Sequence, residues 1–359
     1  MKLKKHHYIL SLLLPIQWLI VTLISSKTQW IESQYSTLLY PNISKILQGV
    51  FGFFPFSIGD FIYLILIIYL ITLIYRTIKF KRLFIKPLLF RLLSTASIIY
   101  FFFYVNWGLN YFRQPLDQII ELEKTSYTDE ELFNVTQQLL IEANEKHLEI
   151  VAHDTLLVTV NNLSKKDIRK MVREGYNHIN IEIPNLSLAQ SPVKASLFSL
   201  PLSYMGFAGY LNPWSNEAQI NNKLPLNAYP ATACHEIAHQ LGFASESEAN
   251  FIGYIAGISN ENKLIQYSSS ILALRYCMYE VYKRDADYYQ KLLEQVHIGI
   301  KKDFQQRSEF WSKYQNWTEP FFKLFYDSYL KANNQVHGIQ SYNHMVGLLV
   351  NYRLAYDLN

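Results

Sequence analysis

The chain has 359 residues, enough for one sizeable domain and a further segment, and half of them are apolar while only 17% are charged. This balance is unusual for a wholly soluble protein and directs attention to long apolar runs. The net charge of +4 does not indicate nucleic-acid binding, because the basic residues are concentrated in one segment. Residues 1–109 hold eleven Lys and Arg against two acids, a net +9, and the remainder holds 22 against 27, a net −5.

Three apolar runs occur in the first third of the chain, at 8–25, 56–75 and 87–109. Each approaches the roughly 20 residues that a helix needs to cross a bilayer. Three buried core helices are the alternative, but the aromatic ends of the runs favour membrane spans. The sequence therefore predicts a membrane anchor with three transmembrane helices at 1–109 and a separate domain at 110–359.

The distribution of cations predicts the orientation of this anchor. Three lysines precede the first run and six Lys or Arg lie within 76–91, whereas 26–60 contains only Lys27 and Lys45. The positive-inside rule then places the N-terminus in the cytoplasm and the domain after residue 110 outside it. A cleaved signal peptide at the first run would give the same outcome, although no small-x-small cleavage site follows it.

For residues 110–359 the sequence predicts mainly helices with a small sheet element. This is an α+β domain within a chain that is mainly α. Thr128 and Glu131 form a capping-box pattern that begins a helix, and 164–174 predicts another helix. A short strand is predicted at 156–160, a loop at 184–192, and a hairpin or edge strand at 206–224. The remaining predicted helices are 231–241, 246–258, 267–284, 287–295, 303–314, 319–332 and 342–356.

The strongest chemical signal is the pentapeptide His-Glu-Ile-Ala-His, whose key residues are His235, Glu236 and His239. Residues four apart share one face of a helix, so His235 and His239 can present two imidazoles to one ion. Glu236 is offset around the helix and can reach a metal-held water without being a ligand. This arrangement is the one that a zinc (Zn2+) metallopeptidase needs.

Two acids follow this helix and supply candidates for a third ligand. Gly242 is a natural C-cap that reverses the chain, and Ser245 with Glu248 makes a second capping-box pattern. Glu246 and Glu248 therefore arrive just past the turn. The alternative is that both acids only favour the positive end of the helix dipole, a contribution of about 0.3–1 kcal/mol.

The pattern His-Glu-x-x-His followed by Glu-x-x-Ala-Asn resembles the gluzincin class of zinc peptidases, and the Glu-x-Glu-Ala-Asn wording is similar to that of the ImmA/IrrE-like peptidases. The whole layout also resembles an uncharacterised bacterial membrane family that carries a peptidase-like motif. That second likeness extends over nearly the whole chain, including the segments 106–116 and 337–352.

The resemblance implies that zinc is held by His235 and His239, that Glu236 is the catalytic base and that Glu246 is the third ligand. It also implies that Asn250 orients one of the histidines from behind. One departure is that the gap between His239 and Glu246 is shorter than in most gluzincins and has the turn glycine usual in metzincins. The third metzincin ligand position would be Ser245, a poor zinc ligand, so Glu248 stays open as an alternative.

Other features are weaker. The segment 206–220 is a candidate for binding substrate backbone by strand addition, and an ordinary structural hairpin explains it equally well. Tyr342 and His344 are candidates for stabilising an oxyanion. The remaining histidines are predicted to be isolated surface residues: His147, His153, His178, His297 and His337. Cys234 and Cys277 are predicted to be packing residues, since two cysteines outside a CxxC pair do not make a disulfide scaffold.

Together these features predict a membrane-anchored zinc metallopeptidase in a bacterial inner (plasma) membrane, with a periplasmic catalytic domain. Its expected partners are a peptide or protein substrate and the lipid bilayer, with no nucleic acid. The first alternative is a non-catalytic membrane scaffold or sensor that retains a structural zinc site. An intramembrane protease is disfavoured, because the HEIAH segment lies outside any apolar run long enough to span a bilayer.

Overall fold

The protein is described by a computed structural model covering residues 3–79, 85–122, 126–159, 163–179, 192–335 and 342–356. The described chain forms two compact units. One comprises Met1–Gln114 together with Asn212–Glu217, and the other comprises Pro115–Leu211 together with Ala218–Asn359.

The first unit is built around three long apolar helices: α1 (Lys5–Ser25), α4 (Ile58–Lys79) and α5 (Ile85–Asn106). At 1.5 Å per residue each is about 30 Å long, the thickness of a bilayer core. Their apolar side chains are mostly exposed, an arrangement that water would not tolerate over such a length. The three predicted spans are confirmed as helices long and apolar enough to cross a membrane.

Shorter helical elements complete this unit. They are α2 (Thr28–Trp30), a π-helical stretch (Ile31–Leu39), α3 (Tyr40–Phe51) and a 3₁₀ turn (Gly108–Phe112). The segment Asn212–Glu217 contributes buried polar groups to it. The Glu217 carboxylate accepts hydrogen bonds from the backbone N–H groups of Ile58 and Gly59 at the start of α4. It thereby satisfies amides that have no partner within the helix.

The second unit is mainly helical. Its helices before the sheet are α6 (Leu116–Ile119), α7 (Asp129–Leu148) and α8 (Lys165–Asn177), with α9 (Ser199–Met205) between two strands. The helices after the sheet are α10 (Tyr229–Gln240), α11 (Glu246–Ile258), α12 (Lys263–Arg284), α13 (Ala286–Gln295), α14 (Ile298–Tyr314), α15 (Glu319–Ala332) and α16 (Tyr342–Tyr356). Apolar faces of α7, α8, α10, α11, α12 and α16 form one buried core.

A three-stranded sheet accompanies these helices, with strand order β1–β3–β2. The strands are β1 (Val193–Ala195), β2 (Gly209–Asn212) and β3 (Glu217–Ile220), and β1 runs parallel to β3 with Val193 opposite Ala218. β2 and β3 form the hairpin that the sequence predicts at 206–224, and β2 lies at an edge of the sheet.

The predicted capping box at the start of α7 is confirmed, since Thr128 and Glu131 each accept a backbone hydrogen bond from the other. The predicted strand at 156–160 is wrong over 156–159, which are irregular, and Val160 lies outside the described residues. The Leu156 carbonyl bonds the ring of His147 instead of a neighbouring strand. Val158 is buried in the helical core, so its apolar character reflects loop packing rather than a sheet. The predicted loop at 184–192 lies outside the described residues except for Pro192.

His147 and His297, predicted to be isolated surface residues, lie close to each other, and His147 is not at the surface. His147 is fully buried, and its Nδ1 lies 3.4 Å from Nδ1 of His297. The polar imidazole can be buried because its Nε2 can donate a hydrogen bond to the Leu156 carbonyl. His337 lies outside the described residues. Cys234 and Cys277 are both fully buried free thiols, as expected for packing residues.

Candidate metal centre

The helix α10 presents the two histidines of the HEIAH segment to one side. The rings of His235 and His239 stand edge to face with their centroids 4.6 Å apart. The helix is almost wholly buried, and the hydroxyl of Tyr176 donates a hydrogen bond to the carbonyl of Cys234. This packing fixes the backbone from which both imidazoles project.

The turn after α10 fixes one of these rings. Gly242 adopts a left-handed conformation with φ of +86°, as the sequence predicts for a helix C-terminus. The reversal brings the Phe243 carbonyl to 2.7 Å from Nδ1 of His239. Nδ1 must therefore carry the proton, and Nε2 keeps a lone pair for a ligand.

The next helix, α11, crosses α10 closely. A Cβ at Gly253 would lie 2.8 Å from the backbone nitrogen of His235, so only glycine permits this approach. The crossing brings the carboxylate of Glu246, at the start of α11, to the two imidazoles. Its Oε2 lies 3.3 Å from Nε2 of His235 and its Oε1 lies 3.7 Å from Nε2 of His239.

The donor atoms of His235, His239 and Glu246 all lie within 4.8 Å of one another, and no other group of three His, Cys, Asp or Glu with this spacing occurs among the described residues. Two donors about 2 Å from one tetrahedral zinc lie roughly 3.3 Å apart. The observed separations, with two nitrogen donors and one carboxylate, therefore fit zinc without large movement of the side chains.

Two of the three groups hold the protonation state that a metal ligand needs. Burial and the charge of His235 lower the pKa of His239 to about 4, which keeps its imidazole neutral. Burial opposes ionisation of Glu246, but the hydrogen bond from His235 and the positive charge of the histidines lower its pKa to about 2. Burial also acts to lower the pKa of His235, yet the hydrogen bond and charge of Glu246 outweigh it and raise that pKa. A neutral imidazole and an ionised carboxylate are the forms that bind metals, so His239 and Glu246 already hold the binding form and His235 would give up a proton to a bound ion.

Glu236 lies beside this group and is only 3% exposed. Within the described part of the chain its Oε2 is buried and has no hydrogen-bond partner. A Cβ at Gly209 of β2 would lie 2.5 Å from its Oε1, so the absence of a side chain at 209 makes room for the carboxylate. Burial raises the pKa of Glu236 to about 8, with His235 opposing the rise and Glu246 adding to it.

Asn250 stands one turn after Glu246 on α11 and is buried. Its amide nitrogen and Nδ1 of His235 are both buried without a hydrogen-bond partner among the described residues, so the orienting role that the resemblance implies stays a prediction.

The second predicted capping box is wrong. Ser245 caps no backbone group with its side chain, and its hydroxyl pairs with that of Ser247. Glu248 accepts a hydrogen bond from the backbone N–H of Leu116 at 2.9 Å, so its carboxylate is engaged at the start of α6 rather than at its own helix terminus. The group of three donors contains Glu246 and not Glu248.

A tyrosine that the sequence analysis missed also reaches this group. The hydroxyl of Tyr326, on α15, donates a hydrogen bond of 2.5 Å to Oε1 of Glu246. The ring of Tyr326 packs against Phe207, just before β2. No local motif marks this residue, which lies 80 positions after Glu246. Of the two candidates named from sequence, His344 is exposed and the side chain of Tyr342 lies outside the described residues.

Comparison with known proteins identifies one family, described as "Protein of unknown function (DUF3810)", which matches residues 35–350. The chain belongs to this family. The DUF3810 match spans α10, α11 and α15, and thus every residue of the candidate metal centre. Membership in an uncharacterised family agrees with the resemblance drawn from the whole layout of the sequence. No curated protein and no solved structure matches the chain.

Proposed function

We propose that this DUF3810 protein is a membrane-anchored zinc metallopeptidase that hydrolyses peptide bonds. The observation that carries the proposal is the convergence of His235, His239 and Glu246 beside the buried carboxylate of Glu236. Structural zinc sites are typically closed by four protein ligands, whereas catalytic sites use three and keep one position for water. Three donors with an adjacent carboxylate correspond to the catalytic type.

His235, His239 and Glu246 would hold the ion, and Asn250 would orient His235. Zinc bound there would polarise the scissile carbonyl and make the attacking water more acidic. A cation held beside Glu236 would lower its pKa from about 8 and keep the carboxylate ionised, so that it would accept a proton from that water and later deliver it to the leaving amine. Its Oε2, which has no partner among the described residues, is available for this transfer.

Tyr326 supplies a hydrogen-bond donor at the same place. Its hydroxyl already bonds an oxygen of Glu246, so it lies within reach of an oxyanion formed beside the three donors. We propose this role for Tyr326 in preference to Tyr342 or His344.

The edge strand β2 offers a place for the substrate backbone. Gly209 of β2 faces the carboxylate of Glu236, and the unpaired side of an edge strand can accept a peptide by strand addition. A peptide aligned there would pass beside the catalytic base. This arrangement supports a peptide or protein as the substrate, with its backbone bound along the segment 206–220.

The location proposed for this activity follows from the cation distribution in the sequence. The N-terminus would be cytoplasmic, and the metal centre would face the periplasm from the inner (plasma) membrane of a bacterium. An intramembrane protease receives no support, because α10 is not one of the three helices that are long and apolar enough to span a membrane.

The test is the variant Glu236→Gln in the full-length chain. The amide keeps the size of the side chain but removes its basicity, so zinc content should stay near that of the wild type. Hydrolysis of a broad peptide library should fall by a factor on the order of 10² or more, the scale typical of losing a general base.

Hydrolysis by Glu236→Gln at the wild-type rate would refute the mechanism. A wild-type chain that carries stoichiometric zinc yet cleaves nothing in the library would instead favour the non-catalytic scaffold or sensor. Zinc content measured on both chains separates these outcomes from simple loss of the metal.

A further inference from the structure

The helix that carries Tyr326 has two contrasting faces. Tyr326 points to Glu246, while Phe321 and Leu324 lie about 140–160° around the helix at 100° per residue. The side chains away from the metal centre are large, apolar and strongly exposed. They are Phe321 (65%), Leu324 (66%) and Phe325 (73%), together with Trp317 (81%) in the turn before α15.

A neighbouring helix extends this surface. α9 packs against α15, and the side chain of Asn316 donates a hydrogen bond to the Tyr204 carbonyl at 2.7 Å. Leu197, Leu200 and Tyr204 on and before α9 are each about half exposed. These residues and the four above form one apolar surface, here called the α9/α15 surface. Large exposed apolar patches mark sites of contact with a membrane or a protein.

The composition of the α9/α15 surface favours a lipid surface. Trp, Phe and Tyr are enriched at the polar–apolar boundary of bilayers, and interfacial helices combine such residues with lysines on the adjoining face. The two acids of α15 are neutralised by lysines one turn later, Glu319 by Lys323 and Asp327 by Lys331. No uncompensated acid on α15 would therefore repel anionic phospholipid headgroups.

The chain itself tethers its second unit to helices that are able to span a membrane. It carries three helices able to span a membrane, and only nine residues separate the last of them, which ends at Asn106, from α6 at Leu116. Nine residues extend at most about 30 Å. A bilayer is therefore the apolar phase always present at high local concentration, whereas another protein must be encountered.

We propose that the α9/α15 surface lies in the interfacial region of the bilayer that holds the anchor. The side chains of Trp317, Phe321 and Phe325 enter the acyl boundary, and the lysines of α15 remain at headgroup level. Docking then immobilises the helix whose opposite face presents Tyr326 to Glu246. The inference rests on exposed apolar residues and does not depend on the chemistry proposed for the metal centre.

The test uses the full-length chain reconstituted into vesicles of phosphatidylcholine and phosphatidylglycerol. Phe321→Cys and Phe325→Cys are labelled with a nitroxide, and Lys291→Cys on α13 is the matched control at an exposed helical position. Cys234 and Cys277 are fully buried, so an unsubstituted chain treated with the label measures background. The readout is the collision rate of the nitroxide with oxygen relative to that with a water-soluble nickel chelate.

Labels at 321 and 325 should show an oxygen-to-nickel ratio several-fold above that of the control at 291. A ratio equal to the control would overturn the proposal, because the surface would then face water. Spin–spin broadening at 321 that disappears on dilution with unlabelled chain would also overturn it, since a second copy of the chain would then cover the surface.

Discussion

Glu246 and Glu248 differ by only two positions, yet they perform different tasks. Residues two apart on a helix project about 160° from each other. Glu246 therefore meets the two imidazoles, whereas Glu248 reaches the backbone N–H of Leu116. Sequence spacing alone leaves the choice between the two acids open, and the side-chain directions favour Glu246.

We predict that Glu246→Gln greatly lowers the zinc content of the purified chain, because an amide is a far weaker ligand than a carboxylate. The loss of zinc affinity should exceed the 10–100-fold loss that is typical when a hydrogen-bond partner of a metal ligand is removed. Glu248→Gln is the matched control and should retain zinc, since its amide oxygen can still accept from Leu116. Metal analysis of both variants checks the ranking, and the reverse order would transfer the ligand role to Glu248.

Tyr326 gives a second prediction at this scale. Tyr326→Phe removes the hydroxyl that bonds Glu246 but keeps the ring that packs against Phe207. Zinc should remain bound, while peptide hydrolysis should fall by about 10²–10³ in kcat, the usual effect of losing one oxyanion donor. The neighbouring Tyr329→Phe, on the same helix, should hydrolyse peptides at the wild-type rate. Equal rates of peptide hydrolysis in the wild type, Tyr326→Phe and Tyr329→Phe would show that Tyr326 takes no part in the mechanism.

At the scale of elements, local signals are sufficient for the core of the candidate site. Histidines four apart share a helix face, and Gly242 ends the helix in the left-handed conformation that glycine favours. The bounds of α11 and α15 coincide with those predicted from sequence. Periodic apolar residues account for this agreement.

Predictions from local sequence patterns are wrong where a tertiary contact satisfies the same hydrogen-bonding groups. The segment 156–159 forms no strand, and the Leu156 carbonyl bonds the ring of His147 instead. Glu248 accepts a hydrogen bond from the backbone N–H of Leu116 instead of forming the predicted capping box. α12 begins at Lys263, four residues before the predicted start, because the Asn262 side chain caps it. Tyr326 could not be foreseen at all, since only the packing of α15 brings it to the site.

At the scale of the whole molecule, composition is enough to predict the anchor. A run of about 20 apolar residues can satisfy its backbone in lipid only as a helix, so length and hydropathy identify the three spans. The orientation of the anchor rests on cation distribution, which is a separate signal.

We predict that the domain after residue 110 faces away from the cytoplasm, because cations precede the first span and fill the loop between the second and third. A reporter enzyme that works only outside the cytoplasm should be active when fused at the C-terminus. The same fusion with a reporter that works only in the cytoplasm is the control. If only the cytoplasmic reporter is active, the predicted topology is wrong and the domain faces the cytoplasm.

The most direct test of the central claim is the metal content of the purified full-length chain, measured for the wild type and for His235→Ala. His235 supplies one of the three donors, and alanine supplies none. The account predicts one zinc per wild-type chain and a large loss of zinc in His235→Ala, with both chains folded by circular dichroism. A folded wild-type chain without zinc after purification in zinc-supplemented buffer, or equal zinc in the two chains, would contradict it.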